Sequence, residues 1–316
     1  METVIEASEN FIFHCKFEKG LSPKTIQAYN LDIKQFIDFL NQKKYSKELL
    51  KIEKNVLKEF LQYISDKQPK TIKRKIATLK ALFNFLEFED EININPFRKV
   101  RVQIKEPKVL PTVLNIADVL KIFKSAYQAR AKISVKDSYS YRSITRDIAI
   151  LELLFTTGIR VSELCSLKME NIGRNFSYIL VKGKGEKERL IQICNKETIL
   201  ALRAYYNAFE QAIIEKVGIF FLNRLKNPIS DQSVRFMIKK YTALAGIEKN
   251  ITPHTFRHTF ATLLLEEGVD LIYIQHLLGH SSIITTQIYT HVNQAKQKQI
   301  LRTKHPRKKF TLADLS

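Results

Sequence analysis

The chain has 316 residues, of which 45% are hydrophobic, and its 52 Lys and Arg outnumber 32 Asp and Glu to give a formal net charge of +20. This length and apolar content predict two domains with cores of their own, and the charge favours a polyanionic partner, with nucleic acid ahead of an anionic membrane. The chain shows no apolar run of about 18 residues, no amino-terminal signal pattern and only three distant cysteines, which argues against a membrane protein or a disulfide framework and predicts a cytoplasmic location.

Residues 1–101 are predicted to form a four-helix domain, because apolar residues recur there at helical spacing. The helix predicted over 70–88 leaves a basic face, which consists of Lys70, Lys73, Arg74 and Lys80. Such a face could contact DNA phosphates, although an ordinary solvated helix surface has the same composition. Residues 102–112 contain two prolines and little helical pattern, so we interpret them as a linker.

A second domain is predicted over 113–316. Its first helix should begin at Asn115 and end near Tyr127, followed by a polar loop over 128–144 and an apolar helix that ends at Gly158. Arg160 and Glu163 follow directly, at a spacing that by itself is typical of a surface ion pair of little energetic value.

The hydrophobic period then changes to that of a β-hairpin, with strands over 177–181 and 189–193. Lys184 lies between two glycines of the connecting turn, where the backbone can approach a ligand closely. A plain exposed hairpin tip would have the same sequence, and Lys182 and Lys187 compete with Lys184 for any role. Further along, the pattern predicts helices over 197–215 and 230–245 and a short third strand over 219–221.

Five of the seven histidines fall in residues 251–291. His254, Arg257 and His258 share one face of a helix that should start at Thr252-Pro253. We expect that this face cannot be buried without anionic partners, because an unpaired buried arginine costs several kcal/mol. Zinc binding by the histidine pair is disfavoured, because no acid follows the first histidine and no cysteine is near.

Four stretches together resemble the tyrosine recombinases, and within that family the bacterial Xer-type and phage-type integrases. They are TTGIRVSELCSL (156–167), GKGEKER (183–189), HTFRHTFAT (254–262) and LLGHSSIITTQIYTH (277–291). The resemblance implies a mainly α fold with a small antiparallel β-sheet. It divides this fold into an N-terminal four-helix core-binding (SAM-like) domain and a C-terminal α+β catalytic domain.

The resemblance also implies an active site around a scissile phosphate, with six catalytic residues: Arg160, Lys184, His254, Arg257, His280 and Tyr289. Tyr289 would be the nucleophile that forms a 3′-phosphotyrosine, and Lys184 would protonate the leaving 5′-oxygen. Glu163 is expected to support the site, and Lys182 and Lys187 to contact DNA. No metal, ATP or other cofactor is expected, because the covalent bond preserves the energy of the phosphodiester.

The implied partners are double-stranded DNA recombination sites bound by four protomers, as a homotetramer or as a heterotetramer with a paralogue, and strands would be exchanged through a Holliday junction. The basic tail from Gln294 could be frayed or could dock on a neighbouring protomer. That tail and the polar 128–144 segment favour a mobile-element integrase over an Xer recombinase that resolves chromosome dimers. A type IB topoisomerase-like enzyme, a catalytically inactive DNA-binding regulator and a metal-dependent nuclease are the less favoured alternatives.

Overall fold

The computed structural model describes residues 3–105, 112–136, 138–183, 188–216, 218–279 and 294–315, and of residues 294–297 it describes the backbone alone. The chain divides into two compact units, residues 1–109 and 110–316. Each unit has its own cluster of buried apolar side chains. Among the described residues, no helix combines the length and the apolar character that a membrane crossing requires.

The first unit consists of helices α1 (Val4–Phe13), α2 (Pro23–Gln42), α3 (Lys54–Tyr63) and α4 (Pro69–Phe88). Helix α2 begins where Ser22 accepts a hydrogen bond from the Thr25 amide at 3.3 Å, with proline at its first position. The apolar stripes of these helices meet in a core rich in phenylalanine, which includes Phe36 and Phe60 at 5.0 Å between ring centroids.

The basic face of α4 is exposed at Lys70, Lys73 and Arg74, whereas Lys80 is partly buried. Arg74 forms an ion pair with the fully buried Asp32 of α2. Asp32 also accepts hydrogen bonds from the buried ammonium of Lys75 at 3.0 Å and from the Thr78 hydroxyl at 2.9 Å. A buried carboxylate thus holds one side of this basic face in place.

The second unit contains more helices than the first and a pair of strands. Its helices are α5 (Ile116–Ala131), α6 (Tyr139–Thr157), α7 (Val161–Cys165), α8 (Lys196–Glu215), α9 (Asp231–Leu244), α10 (Pro253–Glu266), α11 (Leu271–Leu278) and α12 (Gln294–Thr303). Strands β1 (Tyr178–Lys182) and β2 (Glu188–Gln192) pair antiparallel, with Lys182 opposite Glu188. The predicted fold class, mainly helical with a small antiparallel sheet, is confirmed.

Two local predictions are wrong. The loop expected over 128–144 is mostly helix: α5 continues to Ala131, where Arg130 packs over the Tyr127 ring at 5.3 Å, and α6 starts after Ser138. The strand expected over 219–221 is reduced, in the described part of this unit, to one isolated bridge between Ile219 and Lys168. There the Tyr205 hydroxyl donates to the Phe220 carbonyl at 2.8 Å and accepts from the Leu222 amide at 3.0 Å, so a side chain takes bonds that a partner strand would make.

The carboxyl-terminal segment after α12 packs onto the second unit. Phe310 and Leu315 are buried in the core, and Arg307 is fully buried. The Arg307 guanidinium donates to both oxygens of the buried Glu152 in α6, at 2.8 and 2.9 Å. Of the two alternatives for this tail, fraying is therefore wrong for the described residues 298–315, and docking on a neighbouring protomer stays a prediction.

Candidate active site

The site is built where α6 ends. Gly158 terminates that helix in the left-handed conformation with φ +59°, and a Cβ there would lie 2.6 Å from Cδ1 of Phe260 in α10. Only glycine therefore allows α10 to pack this closely against the turn. The backbone then extends to Arg160, which precedes α7.

Glu163 holds Arg160 in two ways. Its Oε2 accepts the Arg160 amide at 2.9 Å, and its Oε1 accepts Nη1 of the Arg160 side chain at 2.8 Å. Nη2 of Arg160 donates to the carbonyl of Gly279 at 2.9 Å, just past the end of α11. The Arg160 side chain is 33% exposed, so its guanidinium is both oriented and open to a ligand.

Arg257 reaches the same place from α10. It donates to the Gly158 carbonyl at 2.8 Å and to the Leu278 carbonyl at 2.6 Å. Its side chain is buried, and among the residues that the structure describes it has no carboxylate partner, which contradicts the expectation that burial at this face requires anions. Carbonyl oxygens that are free at a helix end carry partial negative charge, and they replace the anion.

Burial, together with the charge of Arg160 nearby, lowers the pKa of Arg257 to about 10. The side chain therefore stays charged at neutral pH, but its charge is only partly compensated. Two guanidinium groups donate to the consecutive carbonyls of Leu278 and Gly279. This arrangement is suited to a group with several anionic oxygens.

His254 and His258 are exposed on α10 beside the buried arginine. Partial desolvation of its ring lowers the pKa of His254, and the nearby charges of Arg235, His258, Arg257 and Arg160 lower it further. The imidazole is thus neutral at pH 7, with a nitrogen able to accept a proton.

Sequence reasoning missed Arg189. It is buried on the inward side of β2, donates to both oxygens of Glu163 at 3.0 and 2.7 Å, and donates from Nε to the Leu277 carbonyl at 3.0 Å. Burial alone would raise the pKa of Glu163, but the bonds and charge of Arg189, with those from Arg160, lower it below its ordinary value. The signal was available: Arg189 is in phase with Ile191 on the apolar face of the strand, where a charge needs a buried partner.

The remaining candidates, Lys184, Lys187, His280 and Tyr289, lie outside the described residues. Lys182 is exposed at the end of β1 and pairs with Glu188 at 3.5 Å. The structure therefore brings together Arg160, Glu163, His254 and Arg257. Within the described part of the chain, no three His, Cys, Asp or Glu side chains cluster as metal ligands.

Family models match both units. The model described as "Phage integrase family" matches residues 128–296, and the model "Phage integrase, N-terminal SAM-like domain" matches residues 9–90. Since the first alone spans more than half of the chain, the chain belongs to the phage integrase family, the tyrosine recombinases. The family resemblance seen in the sequence is thereby confirmed, and the protein is a DNA strand-transferring site-specific recombinase.

Relatives extend this match to nearly full length. The chain is 45% identical to a "Tyrosine recombinase" of Agathobacter rectalis, over 95% of this chain and 96% of the relative. It is 38% identical to "Tyrosine recombinase XerC" of Thermodesulfovibrio yellowstonii, over 94% of this chain and 95% of the relative. Among solved structures, it is similar to the XerH site-specific recombinase bound to difH substrate in a pre-cleavage complex, with a TM-score of 0.66 and 26% identity over 92% of this chain and 83% of that chain.

Proposed function

We propose that this recombinase cleaves and rejoins DNA through a 3′-phosphotyrosine on Tyr289. The observation that carries the proposal is the convergence of Arg160 and Arg257 on the consecutive carbonyls of Leu278 and Gly279, since these residues directly precede His280 in the chain. Two motifs nearly 100 residues apart in the sequence, about one domain length, thus meet beside the third.

The two arginines stabilise the transition state. A phosphodiester under attack gains negative charge on its non-bridging oxygens, so cations fixed in place before the reaction stabilise the transition state more than the ground state. Each guanidinium offers parallel N–H donors that match such oxygens. Arg160 is the more accessible of the two, whereas Arg257 is buried and donates to the Gly158 and Leu278 carbonyls.

Proton transfer is assigned to three further residues. His254, with its lowered pKa, accepts the proton of the Tyr289 hydroxyl as the oxygen attacks phosphorus. Lys184 donates a proton to the 5′-oxygen as the P–O bond breaks, and His280 donates a hydrogen bond to a non-bridging oxygen. A 5′-hydroxyl from a second strand then attacks the phosphotyrosine, forms the new phosphodiester and releases Tyr289, with no net consumption of ATP and no metal.

The DNA-bound assembly follows from the relatives. We assign double-stranded recombination sites as the partner, bound by four protomers alone or with a paralogue, and a Holliday junction as the intermediate. The XerH structure was determined with its difH substrate, and the relative from Thermodesulfovibrio yellowstonii is named XerC. Lys70, Lys73, Arg74 and Lys80 on α4, with Lys182 and Lys187 on the hairpin, are proposed to contact the phosphates, and the cytoplasm is the proposed location.

The biological role is either Xer-type resolution or integration of a mobile element. The two features that favoured integration no longer support it, because most of 128–144 is helical and the tail over 298–315 packs on its own domain. The similarity to XerC along nearly the whole chain favours the Xer-type role. Sequencing a recombination junction produced in the native host distinguishes the two, because integration joins element DNA to a chromosome, whereas resolution joins copies of one site.

Strand exchange between two DNA sites tests the activity. The site is first obtained by selecting random duplexes on the wild-type protein, and two duplexes of different length that carry it are then labelled and mixed with the protein. We expect labelled strands to join the partner duplex. Rejoining of the original strands alone would instead indicate a topoisomerase-like activity, and binding without cleavage would indicate a regulator.

A further inference from the structure

Arg189 is buried, and the acceptors of its guanidinium belong to two other sequence motifs, those of Glu163 and Leu277. It lies in β2, its guanidinium donates to both oxygens of Glu163, and its Nε donates to the carbonyl of Leu277. All three of its side-chain nitrogens therefore have acceptors. This two-point contact with a carboxylate, together with a third acceptor at Nε, uses the planar fork that lysine lacks.

These contacts close a ring of hydrogen bonds through the candidate site. Oε1 of Glu163 also accepts Nη1 of Arg160, and Nη2 of Arg160 donates to the carbonyl of Gly279. Gly279 is two residues after Leu277, which accepts from Arg189 and so returns the ring to its start. Strand β2, helix α7 and the carboxyl end of α11 are thus held together by one carboxylate and two guanidinium groups.

The space inside the ring is closely filled. Gly279 has φ +64°, and a Cβ at that residue would lie 2.8 Å from Nη1 of Arg189. The glycine thus allows both the left-handed turn and the approach of the guanidinium. A tightly filled ring has few alternative arrangements, so loss of one member shifts the others.

We propose that Arg189 is a positioning residue for strand cleavage: through Glu163 and the end of α11 it sets where the Arg160 guanidinium meets the scissile phosphate. The inference rests on the proposed function, because it assigns Arg160 to the phosphate. Arg189 itself faces the carboxylate and the helix end, so it need not touch DNA. Its loss should slow the chemical step and leave DNA affinity nearly unchanged.

The test compares Arg189→Lys with Arg146→Lys. Arg146 is a matched control in the same unit, because it is also largely buried, pairs with Asp147 at 2.9 Å and donates to the Leu222 carbonyl at 3.1 Å, away from the ring. The probe is a nicked suicide duplex made on the site that the wild-type protein selects. Covalent adduct is measured in single turnover at saturating protein, together with DNA affinity and the melting temperature of each variant.

We expect Arg189→Lys to cleave roughly 10- to 100-fold more slowly, since a misplacement of about 1 Å can cost that much, with affinity within about threefold of wild type. Arg146→Lys should lower the melting temperature but cleave at the wild-type rate. In a double-variant cycle, Arg189→Lys should slow the Arg160→Lys protein by less than about threefold, because both changes remove the same interaction with the phosphate.

Other outcomes overturn the inference. If the effects of Arg189→Lys and Arg160→Lys multiply fully, Arg189 does not act through Arg160. If Arg146→Lys slows cleavage as much as Arg189→Lys does, Arg189 contributes only to folding. A wild-type rate for Arg189→Lys would show that the ring is not needed. A wild-type protein that binds its selected site without forming adduct would refute the proposed function itself, and the inference with it.

Discussion

Arg257 illustrates how a cation can be buried without a counter-charge. Its guanidinium donates to carbonyls at the ends of two helices, Gly158 after α6 and Leu278 at the end of α11. Those carbonyls have no intrahelical partner, and the helix dipole makes them partly negative. The pKa lowered to about 10 shows that this compensation is incomplete, so the group is ready to interact with an added anion.

Arg160→Lys tests the phosphate contact. The substitution keeps the charge but loses the planar fork, so a lysine cannot contact Glu163 and the Gly279 carbonyl and also offer two parallel donors to a phosphate. Loss of a transition-state donor typically costs about 2.7–4 kcal/mol, and we expect cleavage to slow by roughly 100- to 1000-fold while site affinity changes far less. Single-turnover cleavage with a parallel binding titration is the measurement. A wild-type rate would mean that Arg160 is only structural.

Lys184→Ala tests the general acid. The variant should be severely slowed on normal DNA but largely rescued on a substrate with sulfur at the 5′-bridging position, because that leaving group needs little proton donation. Variants of Arg160 and Arg257 should not be rescued to the same degree, since their proposed contacts are to non-bridging oxygens.

Lys182→Ala and Lys187→Ala provide the controls for Lys184, and they should show only weaker, salt-sensitive binding. Rescue of Lys182→Ala by sulfur would shift the general acid to that residue. Rescue of none of the three lysine variants would remove this role from the hairpin.

At the residue scale, the sequence predicted the site residues that belong to a recognisable motif. Arg160, Glu163, His254 and Arg257 were expected together, and they lie together. Arg189 was not expected, because alternation along a short strand does not reveal which carboxylate a buried arginine will meet. That partner, Glu163, is supplied by an element 26 residues earlier in the chain.

At the element scale, the tail is fixed to α6 by His305 as well as by Arg307. Nε2 of His305 lies 2.7 Å from the Thr156 carbonyl, and Nδ1 accepts the Arg307 amide, so the imidazole is neutral with its proton on Nε2. Burial lowers the pKa of His305 to about 4. The hydrogen bond to Thr156 opposes this shift, and the charge of Arg307 adds to it.

The low pKa of His305 predicts acid sensitivity. In the unfolded chain this histidine binds a proton near pH 6.5, but in the folded chain only near pH 4. The unfolded state therefore holds more protons between these values, and folding stability should fall by about 3 kcal/mol as pH drops from 6.5 to 4. His305→Gln should flatten this part of a plot of unfolding free energy against pH, whereas the exposed His258→Gln should not. An unchanged slope in His305→Gln would refute the assignment.

Arg307→Met tests the ion pair that holds the tail. Removing one partner of a buried pair leaves Glu152 charged and uncompensated, which typically costs about 3–5 kcal/mol. Arg302→Met changes an exposed arginine of the neighbouring helix α12 and should alter stability by less than about 0.5 kcal/mol. Chemical denaturation of both variants measures the difference. Equal stabilities would mean that the tail is not held by this pair.

Element boundaries were predictable where a capping residue marks them. Helix α10 begins at Pro253 after the Thr252 cap, and α11 ends at the left-handed Gly279, as the sequence suggested. The loop predicted over 128–144 was wrong because its polar residues belong to helix ends whose contacts lie in the tertiary structure, such as Arg130 of α5 over the Tyr141 ring of α6 at 6.0 Å. Glu152 lies within an apolar helix, and this position could have predicted a buried basic partner. That partner is Arg307, 155 residues away.

At the scale of the whole molecule, the net charge of +20 fits a protein that works on DNA, but it does not identify the reaction. The reaction follows from the family match over both units and from the arginines that meet at one helix end. Covalent chemistry at one tyrosine would separate a recombinase from a DNA-binding regulator.

Tyr289→Phe tests that claim most directly. The change removes only a hydroxyl, so the variant should fold and should bind the selected DNA site as the wild type does. On a nicked suicide duplex, the wild-type protein should accumulate a covalent protein–DNA adduct that resists denaturation, and the variant should form none. An adduct that persists in Tyr289→Phe would contradict the assignment and make Tyr273 the next tyrosine to test.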